Sequence, residues 1–192
     1  RHSFPTRRSS DLYEFVKLFE EEPADLVTAD ICLDMKIKEK KERYAVFAQQ
    51  LFSEILATLS IQKKGGNCVV KVFLDRSRLT ADLIHLLRVH YEKVVMVKPV
   101  TSLITSPEVY LLGMGFKGAS AKMLKVLQGV QEKWDRNVTA IWDELPKDVR
   151  EDTEKMYDQF YKWQEDMYER GLFVLRERQK GGKDKEKAKQ EL

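Results

Sequence analysis

The sequence predicts an α/β protein in which a mostly parallel sheet is followed by a helical extension. Between residues 13 and 118, short β-prone runs alternate with amphipathic helical stretches, a pattern typical of parallel strands joined by crossover helices. Only eight residues, 100–107, separate the last two β-prone runs, which is too short for a crossover helix. After residue 118 the pattern becomes helical alone.

Each element is predicted from its own periodicity and its own end signals. Pro23 ends the first helix, and the glycines of Lys64-Gly65-Gly66 are interpreted as the end of the second, whose apolar stripe runs from Tyr44 to Leu59. The predicted order is a helix at 13–22, a strand at 25–29, a helix from 44 to the glycines, a strand at 67–73, a helix at 79–91, and strands at 93–98 and 109–114.

The connections between these elements predict the topology of the sheet. The first three strands are joined by helices and should run parallel, whereas the fourth follows a short loop and should run antiparallel to the third. A parallel sheet with one reversed strand near its end is the organisation of Rossmann-like methyltransferases. Only part of such a sheet is expected in this chain.

Residues 119–178 are predicted to form a helical extension, with helices at 122–134, 137–145 and 148–178. The last helix has a wide aromatic stripe, so we expect it to pack on the domain or on a partner helix. Ten acidic against five basic residues within 143–170 argue against RNA lying there. The charged tail, residues 179–192, is predicted to be disordered.

The formal net charge of +3 does not by itself indicate nucleic-acid binding, because the excess lies at the two ends of the chain. A polyanion would therefore have to bind through a local patch. Two cysteines are too few for a disulfide framework, and no zinc site is expected. No apolar run approaches the roughly 20 residues that cross a bilayer, so an intracellular protein is predicted.

Residues 1–12 are predicted to be an artefact. The segment HSFPTRRSSDL looks like a translated sequencing adapter and is excluded from the fold prediction. The alternative is a genuine Ser/Arg-rich targeting arm. If the exclusion is correct, the biological sequence begins near Tyr13 and the preceding part of the domain is missing.

Three ionisable residues are predicted to meet at one edge of the sheet. Asp30 follows the first strand, Lys71 lies late in the second, and Glu108 begins the reversed strand, which starts where its parallel neighbours end. Each has an ordinary interpretation: a helix cap or solvated acid, or a charge that protects a strand edge. Lys71 is the least ordinary, because a lysine inside the apolar run VVKV must snorkel or pair with a carboxylate.

These residues also carry a family resemblance. The segments NCVVKVF, EKVVMVKP and SPEVYLLGMGFKG, preceded at the proper distance by DLVTAD, resemble the FtsJ-like RNA 2′-O-ribose methyltransferases. The resemblance covers about residues 13–118 and looks strongest with the eukaryotic members that process ribosomal RNA. It implies the C-terminal half of a catalytic domain.

The resemblance implies a site and a cofactor. The family uses a Lys-Asp-Lys-Glu tetrad, whose last three members fall on Asp30, Lys71 and Glu108. S-adenosylmethionine is the implied cofactor, contacted by Asp30, while the first lysine and the glycine-rich cofactor turn lie upstream. We therefore expect this chain alone to be inactive and to bind the cofactor weakly. Whether Lys71 acts as a base or as an electrostatic group stays open, because an amine accepts a proton only when it is neutral.

The expected function is therefore methylation of RNA, with ribosomal RNA favoured over an mRNA cap or tRNA, and with a nuclear or nucleolar location. Candidate RNA contacts near the same edge are Lys36, Lys38, Lys98, Ser102 and Ser106; for the two lysines that follow Asp30, a solvated helix start is the alternative.

Two departures from the family pattern favour a second hypothesis. Ile31-Cys32-Leu33 replaces a turn with a small residue and proline, and Leu103 replaces an arginine that could hold a phosphate. The chain would then be a non-catalytic module that docks a protein partner through the aromatic helix 148–178.

Overall fold

The computed structural model describes residues 9–32, 36–99, 101–103, 106–135 and 138–190. Its elements, in chain order, are α1 (Ser9–Lys17), β1 (Ala24–Ala29), α2 (Lys40–Ile61), β2 (Gln62–Phe73), α3 (Arg78–His90), β3 (Tyr91–Val97), β4 (Glu108–Phe116), α4 (Ala121–Glu132) and α5 (Lys147–Gln190).

The four strands form one sheet in the order β1-β2-β4-β3. β1 and β2 are parallel, and β4 is antiparallel to both of its neighbours, β2 and β3. The predicted reversal of the last strand is confirmed. β4 inserts between β2 and β3, so β3 runs in the same direction as β1 and β2 without touching them. The carboxyl ends of these three strands and the start of β4 therefore lie at one edge.

The two faces of the sheet differ in burial. Val70 and Val72 of β2 and Leu111 of β4 are at most 1% exposed, because right-handed crossovers place α2 and α3 on the same face. The opposite face is more open: Leu26 of β1 is 60% exposed. Lys71 lies on this second face, since successive strand residues alternate.

The glycines at residues 65 and 66 do not end a helix, and the prediction that they do is wrong. α2 ends at Ile61, and both glycines lie in the irregular first part of β2, where the register with β1 shifts. Gly65 has φ +80°, and a Cβ on Gly66 would lie 2.7 Å from the carbonyl oxygen of Asp25. Gly66 is needed because β1 passes too close for a side chain, and Gly65 because its positive φ disfavours any other residue.

The predicted short helix at 137–145 is also not found. Residues 138–146 are irregular. The buried carboxylate of Asp82 in α3 accepts hydrogen bonds from the backbone N–H groups of Ile141 (2.6 Å) and Trp142 (3.2 Å). The segment thus satisfies backbone donors through a side chain rather than through a helical turn.

Helix α5 packs against its own domain, as its aromatic stripe predicts. Tyr157 and Phe160 belong to the hydrophobic core, at 1% and 3% exposure. The helix continues to Gln190, so the backbone of most of the predicted disordered tail is helical. In the described part of the chain, each helix is too short or too polar to span a bilayer.

The first helix begins inside the segment predicted to be an artefact. α1 starts at Ser9, and Leu12 is buried at 3% exposure. The adapter origin of residues 1–12 stays a prediction.

Candidate active site

Lys71 is a buried cation near the carboxyl end of β2, with a side chain only 3% exposed. Its amine lies 2.7 Å from Oδ1 of Asp30, 3.4 Å from the Asp30 carbonyl oxygen and 3.2 Å from Sγ of Cys32. A buried ammonium group requires such partners, because removing its charge from water without them costs on the order of several kcal/mol. The predicted pairing of Lys71 with a carboxylate is confirmed for Asp30.

The surroundings of Lys71 favour its charged form. Burial lowers the pKa of Lys71, but the hydrogen bonds and negative charge offered by Asp30 and Cys32 outweigh it and raise the pKa above its ordinary value. In this arrangement the amine is a hydrogen-bond donor at neutral pH rather than a base.

Glu108 lies at the same edge but is not an ion-pair partner of Lys71 in the described structure. It is paired with Phe73 in the register of β2 and β4, while Lys71 is paired with Tyr110. The Glu108 carboxylate instead accepts hydrogen bonds from the Tyr110 hydroxyl (3.3 Å) and from Ser102 Oγ (3.4 Å).

Tyr110 connects the two halves of the site. Burial raises the pKa of Tyr110, and the charges of Glu108 and Asp30 raise it further, against a lowering effect of Lys71. Tyr110 is the cross-strand neighbour of Lys71, and its hydroxyl contacts the Glu108 carboxylate. Asp30 therefore contacts the amine, while the tyrosine rather than the amine contacts the second acid.

Three of the predicted RNA contacts are occupied within the protein. The amine of Lys98 donates to the carbonyl oxygens of Ser106 (2.9 Å) and Glu108 (2.7 Å), and it lies 6.0 Å from the ring centroid of Phe160. Ser106 Oγ accepts from the Glu108 N–H. Together with Ser102, these side chains hold the start of β4 in place.

The other two predicted RNA contacts, Lys36 and Lys38, are exposed on the connection between β1 and α2. The guanidinium of Arg43 holds this connection by donating to the carbonyl oxygen of Ile37, at 3.0 Å from Nε and 2.7 Å from Nη2. Their role in binding RNA stays a prediction.

Two residues near Lys71 were not predicted from the sequence. Cys32 is a direct neighbour of the amine, although the turn it occupies is a departure from the family pattern. Glu54 of α2 has a buried oxygen, Oε2, without a hydrogen-bond partner. Burial raises the pKa of Glu54 to about 7, although Lys71 and the Ile31 N–H lower it, and Asp30 adds to the rise. The position of Glu54 among the apolar residues of α2 was the sequence feature that could have identified it.

In the described part of the chain, no three His, Cys, Asp or Glu side chains cluster closely enough to hold a metal ion. His85 packs edge-on against Trp142, with ring centroids 5.9 Å apart. Nδ1 of His90 bonds the carbonyl oxygen of Leu86 at 2.8 Å.

With this geometry established, comparison with known proteins is informative. The sequence model of the FtsJ-like methyltransferases matches residues 6–116, more than half of the chain. The chain belongs to the FtsJ-like methyltransferase family. β1, β2, β3 and β4, and with them Asp30, Lys71 and Glu108, all lie within the matched residues.

Two relatives of this FtsJ-like chain carry different substrate names. It is 29% identical over 109 residues to cap-specific mRNA (nucleoside-2′-O-)-methyltransferase 2 of Drosophila melanogaster, covering 57% of this chain and 15% of that protein. It is 42% identical over 77 residues to ribosomal RNA large subunit methyltransferase E of Magnetococcus marinus, covering 37% and 35%. The chain thus spans only a small part of either relative.

A solved structure from Plasmodium falciparum, described as a ribosomal RNA methyltransferase, has a TM-score of 0.42 and 21% identity to this chain. The match covers 56% of this chain and 54% of that one. A similarity at this level carries no argument about function.

The family implies S-adenosylmethionine, and the described residues fit one part of it. The Asp30 side chain is 68% exposed, so its carboxylate can pair with the ammonium group of a methionine moiety while keeping its contact with Lys71. A glycine-rich turn between a strand and a helix, which could hold the adenosine, does not occur in the described part of this FtsJ-like chain.

Proposed function

We propose that this chain is part of an S-adenosylmethionine-dependent RNA 2′-O-ribose methyltransferase that acts on ribosomal RNA. The observation that carries the proposal is the buried Lys71 amine, held 2.7 Å from the Asp30 carboxylate at the ligand-binding edge of the sheet. Family membership supports the reaction class, and the 42% identity to the Magnetococcus marinus relative supports ribosomal RNA.

S-adenosylmethionine supplies the methyl group when it is bound. The residues of this chain act on the ribose. As an ammonium group fixed by Asp30, Lys71 can donate a hydrogen bond to the 2′-oxygen and stabilise the negative charge that develops as the hydroxyl passes its proton to a water molecule and the oxygen takes the methyl group. Tyr110 and Glu108 border the same space, and their hydrogen bond orients the phenol. Positioning of the oxygen by these groups lowers the entropic cost of reaction.

Methyl transfer from a radiolabelled donor to RNA tests this proposal, with the full coding sequence that contains these residues. Replacing Lys71 by Ala should lower the rate by about 10²- to 10³-fold, the usual contribution of a hydrogen-bond donor that stabilises a developing negative charge on oxygen. Leu103→Ala, at an exposed position in the connection between β3 and β4, is the control. Full activity of a folded K71A variant would remove Lys71 from the mechanism.

An mRNA cap is the second candidate substrate, because the Drosophila melanogaster relative is named for it. The same assay decides between them when capped transcripts, ribosomal RNA fragments and tRNA are compared at equal concentration. Preference for ribosomal RNA would go with a nuclear or nucleolar location, which imaging of the tagged protein tests. No transfer to any of these RNAs would favour the non-catalytic module.

A further inference from the structure

An open cleft of about 570 Å³ adjoins the Lys71 site at the carboxyl edge of the sheet. It is lined by residues of α2, of the segments that follow β2 and precede β4, and of α5. In that order, these include Lys40, Lys41, Tyr44, Asp75, Pro107 and Tyr161. Pro107 immediately precedes Glu108, and Asp75 follows Lys71 by four residues. The cleft is therefore continuous with the strands that carry the candidate site, and its size suits one nucleotide.

Cationic charge in the cleft comes from the first turn of α2. Lys40 and Lys41 are both exposed, and the Lys40 amine lies 5.9 Å from the ring centroid of Tyr44. Asp75 is the acidic residue of the lining. Two exposed amines against one carboxylate make this a place where a phosphate backbone can bind.

Helix α5 brings acidic charge to the edge of the cleft, and Arg76 offsets part of it. Its nearby acids, Glu154 and Asp158, are both paired with Arg76, at 3.7 Å and 2.6 Å. One guanidinium offsets one of these two carboxylates, so the two lysines of α2 form the cationic side of the cleft and the α5 side keeps a net negative charge.

Two tyrosines supply aromatic surface. Tyr161 is fixed by a hydrogen bond from its hydroxyl to the carbonyl oxygen of Leu74 (3.0 Å) and by the Arg76 guanidinium 5.0 Å from its ring centroid. Tyr44 is half-buried, and its pKa is raised by burial and by the nearby Asp75 and Tyr161. A tyrosine ring that the protein already holds in place loses little conformational entropy when a base stacks on it.

Tyr161 lies in α5, beyond the residues 6–116 that match the family. The matched family region alone does not complete this cleft. The helical extension therefore adds a wall to the substrate edge of the molecule.

We propose that this cleft binds single-stranded RNA at a nucleotide that flanks the one presented to Lys71. An unpaired base lies against Tyr44 and Tyr161, and its phosphates lie near Lys40 and Lys41. The inference rests on RNA being the substrate, as in the proposed function, and it assigns the C-terminal extension a direct part in holding that substrate.

Fluorescence anisotropy with a labelled single-stranded RNA of twelve nucleotides, in the absence of a methyl donor, tests the proposal. Tyr44→Ala and Tyr161→Leu should each weaken binding about tenfold, because they remove a stacking surface, whereas Tyr44→Phe should bind like the unchanged chain. The double variant K40A/K41A should lower the slope of log affinity against log salt by about 1.4, the value for two phosphates on a single strand.

Matched controls separate this cleft from general attraction to a basic protein. The double variant K122A/K125A removes two exposed charges from α4, and Tyr168→Ala removes an exposed ring from α5; both should bind RNA as the unchanged chain does. Circular dichroism shows whether each variant is folded. Folded Tyr44→Ala and K40A/K41A proteins with unchanged affinity and salt slope would overturn the inference.

The outcome is separable from that of the proposed function. If K71A abolishes methyl transfer while the cleft variants bind and methylate RNA normally, the cleft inference is wrong and the proposed function stands. If the cleft variants lose binding as expected but no RNA is methylated, the cleft stands and the proposed function fails.

Discussion

At the scale of single residues, the site is organised by how its charges are buried. Lys71 is nearly inaccessible and is stabilised by Asp30, an exposed acid. Glu54 is a half-buried acid whose buried oxygen, Oε2, has no hydrogen-bond partner, so its protonation is coupled to folding. Cys32 is exposed beside the lysine, whereas Cys68 lies in the core. Differences in burial therefore predict a raised pKa for Glu54 and different reactivities for the two thiols.

Glu54→Gln should change how stability depends on pH. Burial raises the pKa of Glu54 in the folded chain to about 7 from its ordinary value of 4.5, so between these two pH values the folded state holds a proton that the unfolded state releases. The favourable contribution is complete below about pH 4.5 and is lost as pH rises through 7, by at most about 3 kcal/mol. In urea unfolding, E54Q should therefore gain stability relative to the unchanged chain between pH 5 and pH 8.

Glu165→Gln, at an exposed position of α5, is the control for Glu54→Gln and should show no such trend. An E54Q stability difference that is the same at pH 5 and pH 8 would contradict the coupling.

The two thiols should react differently under native conditions. Cys32 is exposed, while Cys68 is 1% exposed and burial raises the pKa of its thiol. Reactivity follows the exposed thiolate, so iodoacetamide should add once, at Cys32. Peptide mass spectrometry identifies the site, and denatured protein, which should be labelled twice, is the control. Equal labelling of both residues in the folded chain would contradict the burial of Cys68.

At the scale of elements, connections are held by buried side chains as much as by regular structure. Asp82 of α3 is 0% exposed and accepts from Arg78 Nε (2.7 Å) as well as from two backbone N–H groups of residues 138–146. The half-buried Lys98 holds the loop before β4 by donating hydrogen bonds to the carbonyl oxygens of Ser106 and Glu108. Both interactions join segments that are distant in sequence or lie in loops.

Asp82→Ala should destabilise the fold by about 3 kcal/mol, because it leaves Arg78 and two backbone donors without an acceptor. Chemical denaturation followed by tryptophan fluorescence measures the loss. Asp166→Ala, at an exposed position of α5, is the matched control and should change stability by less than about 0.5 kcal/mol. A D82A loss as small as that of D166A would show that the segment 138–146 is held by other contacts.

At the scale of the whole molecule, the helical extension is part of the core. Tyr157 and Phe160 of α5 are buried with residues of the sheet and of α2 and α3. Farther along the same helix, Leu172 and Phe173 are at least 50% exposed. Helix α5 therefore packs on the core near its start and is exposed at residues 172–175.

Truncation should reveal this division. Removal of residues 147–192 should prevent folding or lower the melting temperature strongly, because it uncovers core surface. Removal of residues 179–192 should leave the melting temperature unchanged. Thermal unfolding followed by circular dichroism measures both, and Tyr157→Ala in the full chain provides an independent estimate, with an expected loss of about 3 kcal/mol or more. An unchanged melting temperature after removal of residues 147–192 would show that α5 is not part of the core.

Much of this arrangement could be predicted from local sequence. Strand and helix periodicity, the short loop before β4 and the lysine within VVKV were enough to predict the reversed strand and the pairing of Lys71 with Asp30. These features depend on neighbouring residues or on simple rules of chain connection. The role of the glycines at 65 and 66 was not predictable, because a helix end and a strand irregularity use the same residues.

The sequence by itself determined the order of the elements, the edge at which the ionisable residues gather and the family to which the chain is similar. Only the tertiary structure decided that Tyr110 separates Glu108 from Lys71, that Cys32 and Glu54 adjoin the site, and that Tyr161 reaches the same edge from α5. The physical reason is that periodicity reports which face a residue occupies, whereas side-chain distances depend on how separate segments pack.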